Sequence, residues 1–194
     1  MIDKDTLFAG WDASQQLTAI YLKNKKDYWI ITRKYRQHKY AAFLVNHDGV
    51  ETEPILSNAP VRNDPTMLNR GYMKVSYDKK YLANCFHGGT WHHTGVEICK
   101  FNNETGDVDH LYSFKLRDII PNNPYYWTNN CEFSPCSKYM YLAGYQSQES
   151  ISHIYQFNME YIEDSVLFKQ SAIKVGEGQG IRANSHFFYK KYSS

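Results

Sequence analysis

The chain has 194 residues, a net charge of +2 and only 22% charged residues, so it carries no electrostatic footprint for nucleic acid or an anionic membrane. No apolar run approaches the roughly 18 residues of a membrane span. Aromatic residues make up 16%, with 17 tyrosines, and that excess favours strands, because flat rings pack well on pleated surfaces.

In chain order, Met1 to Gln16 is a lead-in with a partial strand over Leu7 to Ala9. It lacks the charged and then apolar regions of an export signal. Leu17 to Tyr21 reads as a short strand, Asn24 to Asp27 as a polar turn and Tyr28 to Thr32 as the returning strand of a hairpin. Lys34 to Lys39 is a basic, solvated turn. Ala41 to Asn46 is the next strand, ended by His47-Asp48-Gly49, where Asp-Gly suits a tight turn with positive φ. Ser57 to Leu68, with two prolines, is a connector.

The most complete unit follows. Met73 and Val75, then Tyr81, Ala83 and Cys85, alternate across the polar turn Ser76 to Lys79, the period-2 signature of a hairpin. Gly95 to Phe101 supplies a third strand, Asn102 to Asp107 a turn, and Val108 to Phe114 a fourth strand. Asp118 to Trp127 is a second connector, and a third unit runs to Phe168. Gly176 to Gly180 reads as a flexible loop.

These units are copies of one another. Cys131 to Ser134 falls under Met73 to Ser76, Lys138 to Tyr141 under Lys80 to Ala83, and His153 to Asn158 under Glu97 to Asn102, at offsets of 58, 58 and 56 residues. A fainter copy lies upstream, with Tyr40 to Asn46 standing 56 residues before the Glu97 strand. Self-similarity at this period, built from short strands and polar turns, predicts an all-β fold. It is a partial β-propeller of about three four-stranded antiparallel blades, at about 17–56, 69–116 and 127–168. The whole chain, 1–194, is then a single incomplete propeller domain, whose open blade edges invite self-association.

The segments QQLTAIYLKNKKDYWIITRKY, GYMKVSYDKKYLA, GVEICKFNNETGDV, CEFSPCSKYMYLAG and HIYQFNM resemble, in order, the β-propeller region of large surface proteins associated with gliding motility and type IX secretion in Bacteroidetes. The match covers roughly Gln16 to Asn158. It departs where Tyr77 and Lys79 replace the Pro and Gly of one turn and Cys136 replaces the Asp of another, and it fades past Val166. The resemblance implies a fragment of a larger cell-surface or secreted protein that binds or adheres rather than catalyses.

Candidate ligand contacts are loop residues, since rigid scaffolds carry function on their loops. They are His87, Trp91, His92 and His93 in one loop, and Tyr125, Tyr126 and Trp127 as an aromatic platform for a carbohydrate or protein ligand. Adjacent His92 and His93 point to opposite faces of a strand and no supporting carboxylate stands nearby, so no metal or cofactor is expected. HGGT at His87 to Thr90 has no nucleophile elbow to serve. Cys85, Cys99, Cys131 and Cys136 form no CxxC pair and read as small buried hydrophobes; a bridge from Cys131 to Cys136 across their turn is a second reading.

Two functions remain. The first is a non-enzymatic propeller scaffold or binding module; the second is a propeller hydrolase or lactonase with a divalent-cation site, which needs carboxylates lining a channel. Only Glu97 and Glu132 lie within expected strands, and their alternation with apolar neighbours predicts outward-facing positions. No catalytic residue is assigned.

Overall fold

The computed structural model describes residues 13–34, 37–60, 71–87, 94–120, 126–146 and 149–179. They form three antiparallel sheets of four to five strands, the partial β-propeller that the repeat predicts. The first comprises β1 (Ala13–Tyr21), β2 (Tyr28–Lys34) and β3 (Lys39–Asn46), with β4 (Gly49–Val50) and β5 (Ile55–Asn58) sharing the outer edge of β3. The second runs β6 (Met73–Val75), β7 (Tyr81–His87), β8 (Thr94–Phe101), β9 (Val108–Phe114). The third runs β10 (Tyr126–Phe133), β11 (Tyr139–Gln146), β12 (Ile151–Asn158), β13 (Ile173–Gln179).

The repeat is visible in the turns. Leu22, Ser76 and Ser134 each donate their amide across the hairpin, to the carbonyls of Asp27, Tyr81 and Tyr139, at 2.8 Å. Each accepts in return from the residue three places on, Lys25, Lys79 or Ser137, and all three of those residues have positive φ. Lys79 therefore occupies, at φ 65°, a position that favours glycine. After the third strand of each sheet, Asn46, Asn102 and Asn158 accept the amide two residues on, at 2.9, 2.9 and 3.0 Å. Irregularities in pairing recur as well, between Ile98 and Cys99 and between Ile154 and Tyr155.

The sheets stack face to face. Leu82, Cys99 and Phe101 of the second sheet pack on Trp29, Ile31 and Tyr40 of the first. Ala83, Cys85 and Ile98, on the opposite face, pack on Cys131, Phe133 and Leu142 of the third. Strands β7 and β8 are thus buried on both faces, which is why Leu82 to Cys85 reads as a continuous buried run despite its alternation. Trp29 closes the first boundary: its indole N–H donates to Asn103 O at 2.9 Å, and its ring covers Gly106.

The structure differs from the sequence reading at several points: β1 begins at Ala13, inside the expected lead-in, and β10 begins at Tyr126, so Tyr126 and Trp127 lie on a strand rather than in a connector, as His87 lies at the end of β7. The fourth strand of the third sheet lies past Phe168, beyond the short helix α1 (Ser165–Gln170), which Asp164 caps by accepting the amides of Val166 and Leu167. Phe168 stacks on Phe157 at 5.1 Å and plugs the second boundary. Gly176 to Gln179 belongs to that fourth strand rather than to a loop, because pairing with β12 extends it. Cys136 is exposed in its turn, not buried. Glu97 does not face outward: β8 lies inside the stack, so neither of its faces meets solvent, and the side chain is 1% exposed. The partial strand at Leu7 to Ala9 lies outside the described residues.

Candidate functional site

Antiparallel pairing places the turns 22–27, 76–80 and 134–138 at one end of the sheets, here the hairpin end, and the connections between successive sheets, 59–72 and 115–125, at the other, the loop end. The end of β7, the start of β8 and the start of β10 meet at this second, loop end. There the His87 and Trp127 rings touch edge to face, with centroids 5.7 Å apart and planes at 75°, a favoured geometry for aromatic pairs. Both rings are half-buried.

Behind them, Thr94 ties β8 to β10: its hydroxyl accepts the Thr128 amide at 2.7 Å. Gln16 of β1 is buried and donates to Cys85 O at 2.7 Å, fixing the innermost strand of the first sheet to the second. Thr94 and Gln16 therefore cross-link the sheets at the loop end, and the aromatic pair sits beside the Thr94–Thr128 link. Of the seven sequence candidates, the structure brings His87 and Trp127 together. Trp91, His92, His93 and Tyr125 lie outside the described residues, and Tyr126 is described only as a backbone position of β10.

The two carboxylates expected within strands, Glu97 and Glu132, are engaged elsewhere. Glu97 accepts the Tyr40 hydroxyl and the Asn84 amide, the latter at 2.8 Å, and faces Arg33 Nη2 at 3.6 Å. Arg33 also donates to Pro60 O at 2.9 Å and lies over the Tyr40 ring. This buried cluster joins the first two sheets and was missed from sequence. Its only signal was an acid and an amide facing each other in paired strands, Glu97 opposite Asn84. Glu132 pairs with Lys74 at 3.1 Å.

At the hairpin end a groove of about 510 Å³ is lined by Lys80, Tyr81, Lys100, Asp107, Asp109 and Glu163. Glu163 accepts from Tyr81 at 2.9 Å and pairs with Lys100 at 3.0 Å. Lys100 and the Tyr81 hydroxyl hold the Glu163 carboxyl below its usual range. Burial, and then that same bond, push the Tyr81 phenol up to about 12. Among the described residues, no three His, Cys, Asp or Glu side chains gather to hold a metal, and no helix is long and apolar enough to cross a membrane.

No protein-family model matches the chain, and no curated relative matches it. Among solved structures it is similar to the periplasmic gluconolactonase of Pseudomonas aeruginosa, a β-propeller, with TM-score 0.50 at 8% identity, over 82% of this chain and 38% of that one. It is also similar to β-fructofuranosidase from Schwanniomyces occidentalis complexed with fructosyl-erythritol (TM-score 0.48, 9% identity, 87% of this chain and 34% of that one). A third likeness is to Kuenenia stuttgartiensis hydrazine synthase (TM-score 0.47, 13% identity, 83% and 49%). The chain spans less than half the length of each, and at these identities the likeness concerns the fold alone.

Proposed function

We propose that the chain is a non-enzymatic β-propeller binding module, part of a cell-surface or secreted protein of the gliding-motility and type IX secretion kind, with its working surface at the loop end. His87 and Trp127 are the contacts assigned to a protein or carbohydrate ligand: an indole and an imidazole beside the Thr94–Thr128 link offer flat apolar area together with N–H donors. On this reading residues 1–194 form one domain, and its three blades are a sector of a ring that closes with four to eight.

The observation that carries the proposal is the commitment of Glu97. A hydrolase on this scaffold needs carboxylates presented to substrate or cation, whereas Glu97 is spent on Arg33, Tyr40 and Asn84 within the stack. The test is a screen of the purified chain on glycan and peptide arrays, followed by titration of the hits against Trp127→Ala. Binding weakened at least about tenfold, or roughly 1.4 kcal/mol, with an unchanged melting temperature, is the expected result. Hits indifferent to Trp127→Ala, or lactone turnover by protein purified with stoichiometric Ca²⁺ or Zn²⁺, would count against it.

A further inference from the structure

The boundary between the second and third sheets holds a feature that the binding reading does not use. Where the inner strands converge, Cα atoms of β10 lie within 8 Å of β7, closer than the roughly 10 Å of ordinary face-to-face sheets. Small side chains fill the gap: Ala83 and Cys85 from β7, and Cys131 from β10, all buried. Both cysteines converge on one carbonyl, since Tyr72 O accepts the Cys85 amide at 2.8 Å and lies 3.5 Å from Cys131 Sγ. Cys131 Sγ is also 3.5 Å from Ala83 O, and the Cys85 side chain lies in the same buried cluster as Cys131. A disulfide requires Cα atoms about 4.4–6.8 Å apart and facing Cβ atoms, a separation inside the 8 Å to which these two strands approach.

We infer that Cys85 and Cys131 are a site of reversible oxidation, closing to a disulfide that staples the second sheet to the third. The oxidant is a low-molecular-weight disulfide such as oxidised glutathione. One cysteine thiolate attacks a glutathione sulfur, breaking its S–S bond, forming a mixed disulfide and expelling one glutathione thiolate. The second cysteine thiolate then attacks the protein sulfur of that mixed disulfide and expels the other glutathione. Two protein thiols are oxidised, one glutathione disulfide is reduced to two thiols, and the two protons pass to solvent and the departing thiolates.

Burial, and then the neighbouring Cys131 thiol, push the Cys85 thiol well up from its ordinary value, so the closed boundary resists attack. Closure takes place when the sheets part, during folding or local opening. Cys136 is a separate matter. It is exposed, its Sγ lies against Ser134 Oγ at 3.4 Å, and that contact lowers its thiol pKa. It therefore reacts first with a small disulfide without supplying the bridge.

The experiment uses the full chain, as wild type and as Cys136→Ser. Each is incubated with oxidised glutathione in urea below the unfolding midpoint, then alkylated, digested and mapped by mass spectrometry. In both, a Cys85–Cys131 cross-linked peptide that disappears on reduction is expected. The melting temperature of the oxidised form should exceed that of the reduced form by about 5–10 °C. The inference is overturned if both cysteines are recovered alkylated or carrying glutathione, if Cys131 pairs with Cys136 or Cys99 instead, or if the cross-link lowers the melting temperature.

Discussion

Arg33 Nη2 stands 3.6 Å from Glu97 Oε1 across the boundary between the first and second sheets, and both side chains are more than nine-tenths buried. Removing one partner leaves the other charge buried and uncompensated, whereas removing both leaves no buried charge, only the Tyr40 hydroxyl and Asn84 amide that had donated to Glu97. Arg33→Met is therefore expected to cost about 3–5 kcal/mol in urea denaturation, and Arg33→Met with Glu97→Met to recover most of it. Single costs that simply add in the double variant would show the two groups to be uncoupled.

Gly106 has φ +82°, and a Cβ built there would come 2.9 Å from the Trp29 ring. Gly106→Ala pays twice, in left-handed backbone and in displacement of the indole that seals the boundary. The expected loss is about 1–3 kcal/mol, read as a lower melting temperature together with a red-shifted tryptophan emission.

The three turn asparagines make a test of equivalence. Asn46, Asn102 and Asn158 each accept the amide two residues on at nearly the same distance. Replacing any one by Ala should cost about 0.5–1.5 kcal/mol, with similar values at all three positions in chemical denaturation. A cost confined to one of them would contradict their equivalence.

Alkaline pH should loosen the hairpin end. The Tyr81 phenol is raised from its ordinary value of 10.0 to about 12, so the folded state holds that proton more tightly than the unfolded chain does. Its contribution is fully present below pH 10 and is lost as pH rises through 12. Tyr112 is displaced in the same direction by burial. Urea midpoints measured from pH 9 to 12 should fall, and less steeply in Tyr81→Phe.

Much of this architecture was legible because local chemistry and global fold agree. Period-2 alternation located β6 and β7, polar turns located β2 and β9, and the offset copies of Ser76 and Ser134 located matching turns. The first hairpin was faint because Leu22 carries no hydroxyl; Asn24 accepts the amides of Lys26 and Asp27 there instead. Glu97 was misplaced because alternation assigns a polar residue to solvent, and only the stacking of a sheet on each face removes solvent from both. Strand β13 was misread because Gly176 and Gly178 signal a loop locally, while pairing with β12 decides their state. At the loop end, residue type selected His87 and Trp127, but their contact depends on β7 and β10 arriving together from different sheets.

Amide hydrogen exchange resolved by residue tests most directly the claim that the second sheet is enclosed between the other two. Amides of Leu82, Cys85 and Ile98, in strands covered on both faces, should exchange only through global unfolding and be the slowest in the chain. Exchange at those positions faster than in β2 or β12 would contradict the stacked arrangement on which the loop-end surface and the Arg33–Glu97 boundary both rest.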